Sequence, residues 1–178
     1  MNGPVEQTND HSRKRPDPTL LLPRLQATRQ LGQELASYFC SHPVFPLFLE
    51  GDLGCGKTTL VRALVQHLPG SEQAEVNSPS FNICNLYPTQ PPVAHFDLYR
   101  LGEIGPDESL FEQLADPSVL VIVEWAQYLP SSCWPPEYLC LELFWRDRHR
   151  SLRLKPCGPG PHTLSHTLFK LSKERGLT

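Results

Sequence analysis

The chain has 178 residues, 39% of them hydrophobic and 20% charged, with a formal net charge of −3. That size and apolar content suit one domain around one buried core, and the charge balance offers no basic field able to hold a nucleic-acid backbone unaided. The apolar runs at 44–49 and 119–123 are far too short to span a bilayer, so the expectation is a cytoplasmic chain with no membrane segment and no direct hold on DNA.

Residues 1–18 mix charge, Asn, Gly and Pro without periodicity and lack an apolar leader core. They read as a disordered tail ahead of a main domain at 19–156. From Leu25, the residues Leu25, Leu31, Leu35 and Phe39 recur at helical spacing, and a helix is expected to run to Cys40, with Pro43 beyond it. Residues 44–50 form a compact apolar run, as in a parallel strand buried on both faces. After a glycine segment, 58–68 contains no Gly or Pro and carries Leu60, Val61, Leu64, Val65 and Leu68, which fits a helix stopped by Pro69 and Gly70. Residues 81–87 and 93–99 read as a hairpin about the 88–92 turn, and 107–114 as a short helix. A second buried strand is expected at 119–124, then a Pro/Ser loop at 129–136. A second hairpin pairs 138–144 with 151–154 across the charged 146–150 turn. The extension at 157–178 is assigned a helix at 163–173. The six cysteines, Cys40, Cys55, Cys84, Cys133, Cys140 and Cys157, show no metal spacing and read as reduced thiols.

The segment Gly51-Asp52-Leu53-Gly54-Cys55-Gly56-Lys57-Thr58 fits G-x-x-x-x-G-K-[ST] and falls between a buried strand and a helix, the context a phosphate-binding loop requires. Backbone N–H groups across Leu53, Gly54, Cys55, Gly56, Lys57, Thr58 and Thr59 can wrap a phosphate chain at the positive end of the helix. Lys57 brings a mobile cation to the phosphates of ATP, and the Thr58 hydroxyl is placed to ligate Mg²⁺.

Nucleotide hydrolysis also calls for a carboxylate at the end of a neighbouring strand. Five apolar residues followed by Glu124 put that acid at the carboxyl edge of the sheet. Asp97 stands in His95-Phe96-Asp97-Leu98-Tyr99-Arg100, where alternation presents His95, Asp97 and Tyr99 to one side. Trp125 has two readings, a cap or partner surface beside the nucleotide, or a core residue.

Four ordered segments now carry a resemblance: 51–59 (GDLGCGKTT), 78–81 (SPSF), 95–100 (HFDLYR) and Glu124-Trp125. With Thr28, Leu31 and Gly32 ahead of them, they resemble the TsaE family, formerly YjeE, over about residues 25 to 155. The resemblance implies an α/β, three-layer P-loop NTPase fold, its central sheet mostly parallel with antiparallel hairpin strands added. It also implies an ATPase that serves formation of threonylcarbamoyladenosine in tRNA, acting on a TsaB–TsaD complex and touching tRNA only indirectly. By the same resemblance Lys57 and Thr58 hold phosphate and Mg²⁺, Glu124 is a Mg²⁺ ligand, Asp97 is an acid needed for hydrolysis, and 78–81 is a switch segment. Cys55, Ser80 and Ala126 depart from the family's usual Ala, Thr and Pro. Cys55 reads either as a reactive thiol or as inert packing.

Two other functions fit the same loop. A small P-loop kinase for a nucleotide or metabolite would add an arginine lid, for which Arg146, Arg148, Arg150 and Arg153 are the available set. A nucleotide-gated binding module would need no turnover at all.

Overall fold

The computed structural model describes residues 17–73, 76, 79, 84–99, 108–146 and 148–178. One seven-stranded sheet organises them. Its strands are β1 (Thr19–Leu22), β2 (Leu47–Glu50), β3 (Cys84–Tyr87), β4 (Val93–Asp97), β5 (Leu120–Glu124), β6 (Tyr138–Arg146) and β7 (His149–Cys157), in the order β1-β7-β6-β2-β5-β4-β3. The central strands β6, β2, β5 and β4 run parallel, whereas β1, β7 and β3 join antiparallel to their neighbours. This is the mostly parallel sheet with hairpin additions expected above.

Both faces of the central strands are covered, so alternate residues enter different cores. Leu47, Leu49, Ile122, Leu139 and Leu141 face one cluster. The helices α1 (Leu25–Phe39), α2 (Lys57–Val65) and α4 (Pro159–Glu174) supply it with Leu31, Leu35, Phe39, Leu60, Leu64, Leu164 and Leu168. Phe48, Phe96, Val121, Val123 and Cys140 face a second cluster with Leu110 of α3 (Glu108–Ala115), packed against Trp134 and Tyr138. Helix, sheet and a thinner layer of helix and aromatic loop make the three layers.

The departures from expectation have local causes. β2 begins only at Leu47, because Pro46 has no amide to give the ladder and its carbonyl accepts from Leu139 N (3.0 Å). α2 ends at Val65, where the chain tightens into i−3 bonds from His67 N to Leu64 O and Leu68 N to Val65 O. The second hairpin is longer than expected: Arg146 and His149 are paired, and Arg148 makes the tight turn at φ 69°. α4 starts at Pro159 rather than near Thr163, since proline is tolerated in a first turn. β1, which no sequence pattern announces, pairs with β7 along its whole length. At this outer strand Leu21 N donates to Leu177 O (2.6 Å). The tail expected to be disordered lies, for residues 1–16, outside the described residues; Pro18 O accepts from Leu154 N (2.9 Å). Among the described residues, no helix is long and apolar enough to cross a membrane.

Candidate nucleotide-binding site

β2 delivers the chain to the carboxyl edge of the sheet, and the loop 51–56 returns it into α2 at Lys57. The loop is left-handed at Gly51, Gly54 and Gly56 (φ 131°, 76° and 104°). At Gly51 a Cβ would lie 2.2 Å from the Leu143 carbonyl oxygen, so both dihedral and space demand glycine. Lys57 is buried, and its Nζ donates to Gly51 O (2.7 Å) and Asp52 O (3.0 Å) while standing 3.7 Å from the centroid of the Trp125 ring.

Parallel register brings the carboxylates together. Asp97 of β4 is the register partner of Glu124 of β5, and Leu49 of β2 pairs with Glu124 on its other side. Glu124 is 1% exposed. Its Oε2 accepts from Thr58 Oγ1 at 2.9 Å, and its Oε1 lies 2.9 Å from His95 Nε2. Asp97 Oδ1 accepts from the Tyr99 amide (3.0 Å), which turns the chain away at the end of β4. These elements enclose a cleft of about 400 Å³ lined by Leu53, Gly54, Gly56, Lys57, Thr58, Thr59, Asp97, Tyr99, Glu124 and Trp125.

Of the residues expected at the site, Cys55 alone is not among the lining. It is fully buried in the core, its amide N donates to Asp52 O (3.3 Å), and burial raises its thiol pKa against a smaller lowering by Lys57. The inert reading of that thiol is therefore favoured. Trp125 satisfies both of its readings, being 7% exposed yet lining the cleft. It sits at φ 59° and packs against Tyr99 (4.7 Å between centroids) and Tyr128 (5.8 Å). The segment 78–81 lies outside the described residues except for Pro79, and so does Arg100.

None of the four arginines of the proposed lid lines the cleft. Arg153 pairs with Glu142 (2.7 Å) and Arg150 lies over Trp145, with its guanidinium beside Gly56. Sequence reasoning left two cleft neighbours without a role. Tyr99 lines the cleft and His95 backs Glu124, and the alternation of His95, Asp97 and Tyr99 was the available signal. Among the described residues no group of three or more His, Cys, Asp or Glu could hold a metal. The side-chain oxygens suited to a hard cation in this cleft include those of Thr58 and Glu124, with the Asp97 carboxylate beside them, a small set that fits an ion taking its other ligands from phosphate and water.

The family model described as "Threonylcarbamoyl adenosine biosynthesis protein TsaE" matches residues 22–152. The tRNA threonylcarbamoyladenosine biosynthesis protein TsaE of Synechocystis sp. is 39% identical over 114 residues, 61% of this chain and 70% of that protein. The protein of the same name from Rickettsia felis is 32% identical over 121 residues, 66% and 67% of the two chains. That from Aquifex aeolicus is 32% identical over 109 residues, 61% and 76%. The crystal structure of Bacillus subtilis YdiB superimposes with a TM-score of 0.67 at 24% identity, over 85% of this chain and 93% of that one, and shows the fold.

Proposed function

Because the chain belongs to the TsaE family, we propose that it binds ATP with Mg²⁺, hydrolyses it, and serves threonylcarbamoyladenosine formation in the cytoplasm by acting on a TsaB–TsaD complex. The observation that carries this reading is the 2.9 Å bond from Thr58 to Glu124, which joins the phosphate loop to a strand-end carboxylate inside one cleft. The amides of 53–59 cradle the phosphates, and Lys57 gives them a cation held over the loop by its own carbonyls. Thr58 and Glu124 would hold Mg²⁺, which would neutralise charge on the phosphate oxygens. Asp97, beside Glu124 at the strand ends, orients the attacking water. Tyr99 and Trp125 line the cleft, Tyr128 stacks on Trp125, and together they offer a surface whose order depends on what the cleft holds.

With a net charge of −3 the chain reaches tRNA through its protein partners. The test is affinity for TsaB–TsaD with ATP, with ADP and with neither, alongside ATPase rates of the chain alone and in the complex. Tighter docking with ATP and stimulated hydrolysis are expected. Equal affinity in all three conditions with unstimulated turnover would sink the mechanism and return the small-kinase alternative.

A further inference from the structure

Glu124 is almost wholly buried, and a buried carboxylate is tolerated only where donors meet its oxygens. Two side chains do so. Thr58 Oγ1 donates to Oε2, and His95 Nε2 lies against Oε1, both at 2.9 Å. Thr58 belongs to the phosphate loop, whereas His95 is fully buried on β4, two residues before Asp97, and does not line the cleft.

The groups behind His95 set its direction. A carboxylate only accepts, so Nε2 carries the proton that faces Glu124. On its other side, Nδ1 stands 3.5 Å from Tyr87 OH. Tyr87 OH in turn accepts from Asn85 Nδ2 at 3.4 Å. A row of polar contacts thus runs from β3 through β4 to β5, from Asn85 to Tyr87, His95 and Glu124, and holds the imidazole between its neighbours.

We infer that His95 is a positioning residue of the site: its Nε2–H pins Oε1 of Glu124, so that Oε2 stays on Thr58 and the two oxygens that meet a divalent cation keep one arrangement. The inference rests on the reading of this cleft as a nucleotide–cation site. Without the imidazole, Oε1 would be buried with no donor among the described residues, and the carboxylate would turn away from Thr58 to find one.

The test compares the full chain with His95→Leu, which removes the donor, and His95→Gln, whose amide nitrogen can occupy the place of Nε2. Mn²⁺ binding is read by electron paramagnetic resonance with a non-hydrolysable ATP analogue, and analogue affinity is read separately in chelator. For His95→Leu, Mn²⁺ affinity should fall by about tenfold or more, while metal-free analogue affinity is unchanged, and His95→Gln should recover most of the loss. Wild-type Mn²⁺ affinity in His95→Leu, or a His95→Gln as weak as His95→Leu, overturns the role of His95 alone. If His95→Leu does not fold, His95→Asn, whose amide stops short of Glu124, replaces it with the same expectation. A wild-type chain that binds no analogue overturns the nucleotide reading, and this inference with it.

Discussion

Replacing Gly32 by alanine sets two known effects against each other at the place where α1 meets α2. An ideal Cβ on Gly32 would stand 2.5 Å from Ala63 Cβ and 2.7 Å from both Ala63 C and Leu64 N. Carbon atoms pack at about 3.5–4.0 Å, so α1 would have to withdraw by on the order of 1 Å. No rotamer can relieve the contact, because two of the three atoms are backbone and the third is a Cβ. Helix propensity favours alanine over glycine by about 1 kcal/mol. Over-packing a closed interface costs about 1–3 kcal/mol, and contact with rigid backbone belongs at the upper end. The variant should therefore be less stable by about 1–2 kcal/mol, read as a lower urea midpoint with an unchanged m value. Adding Ala63→Gly removes one of the three contacts and should recover only part of the loss. A Gly32→Ala chain as stable as the parent, or more so, would refute the close approach of the two helices.

Lys57→Ala removes the loop's cation and should weaken ATP binding by about 10–100-fold in calorimetry, the worth of one charge-assisted hydrogen bond; unchanged affinity would remove Lys57 from the site. Glu124→Ala and Asp97→Ala should still bind ATP but hydrolyse it about 10²-fold more slowly in the TsaB–TsaD complex, since their charge matters most in the transition state. Full turnover in either variant would return that residue to a structural role. Glu124→Ala should also lower thermal stability by about 1–3 kcal/mol, because it leaves the buried His95 donor without its acceptor. Among the thiols, burial pushes Cys84 up to about 11 and raises Cys55 as well, whereas Cys40 is exposed. Alkylation at pH 8 followed by peptide mass spectrometry should therefore find Cys40 modified first and the fully buried Cys55 and Cys140 last. The folded state holds the Cys84 proton more tightly than the unfolded chain, so that contribution to stability is full below pH 9.0 and declines as pH rises through about 11. A denaturation series flat across that window in the wild type but sloping in Cys84→Ala would reverse the assignment.

Much of this could be read before any coordinates. β2, the glycine loop and α2 are contiguous in sequence, and their apolar runs and helical spacing, like the apolar run of β5, report local physics. β1 could not be read, because Thr19–Leu22 is four residues without alternation and becomes a strand only by pairing with β7, over a hundred residues away. The charges at 146–150 suggested a turn, yet Arg146, His149 and Arg150 sit in the paired strands, where one side faces outward and tolerates charge. The helix expected at 163–173 opens four residues earlier, at Pro159, where a first turn accepts proline. At the site, Lys57 and Thr58 followed from the motif and Glu124 from its place at a strand end. The contact between His95 and Glu124 did not, because it depends on the register of β4 against β5, which no spacing encodes.

The bond from Leu21 to Leu177 has a bearing on how copies of this chain behave toward one another. An outermost strand offers outward amides to any extended segment that meets it, and foreign strands add themselves there. β1 is such a strand, four residues long, lying between Pro18 and Pro23, neither of which has an amide to give. The Leu177 carbonyl occupies the Leu21 amide in the middle of it. A chain cut short of Leu177 would keep its cleft whole and yet gain an open edge, so its defect would be self-association rather than lost turnover.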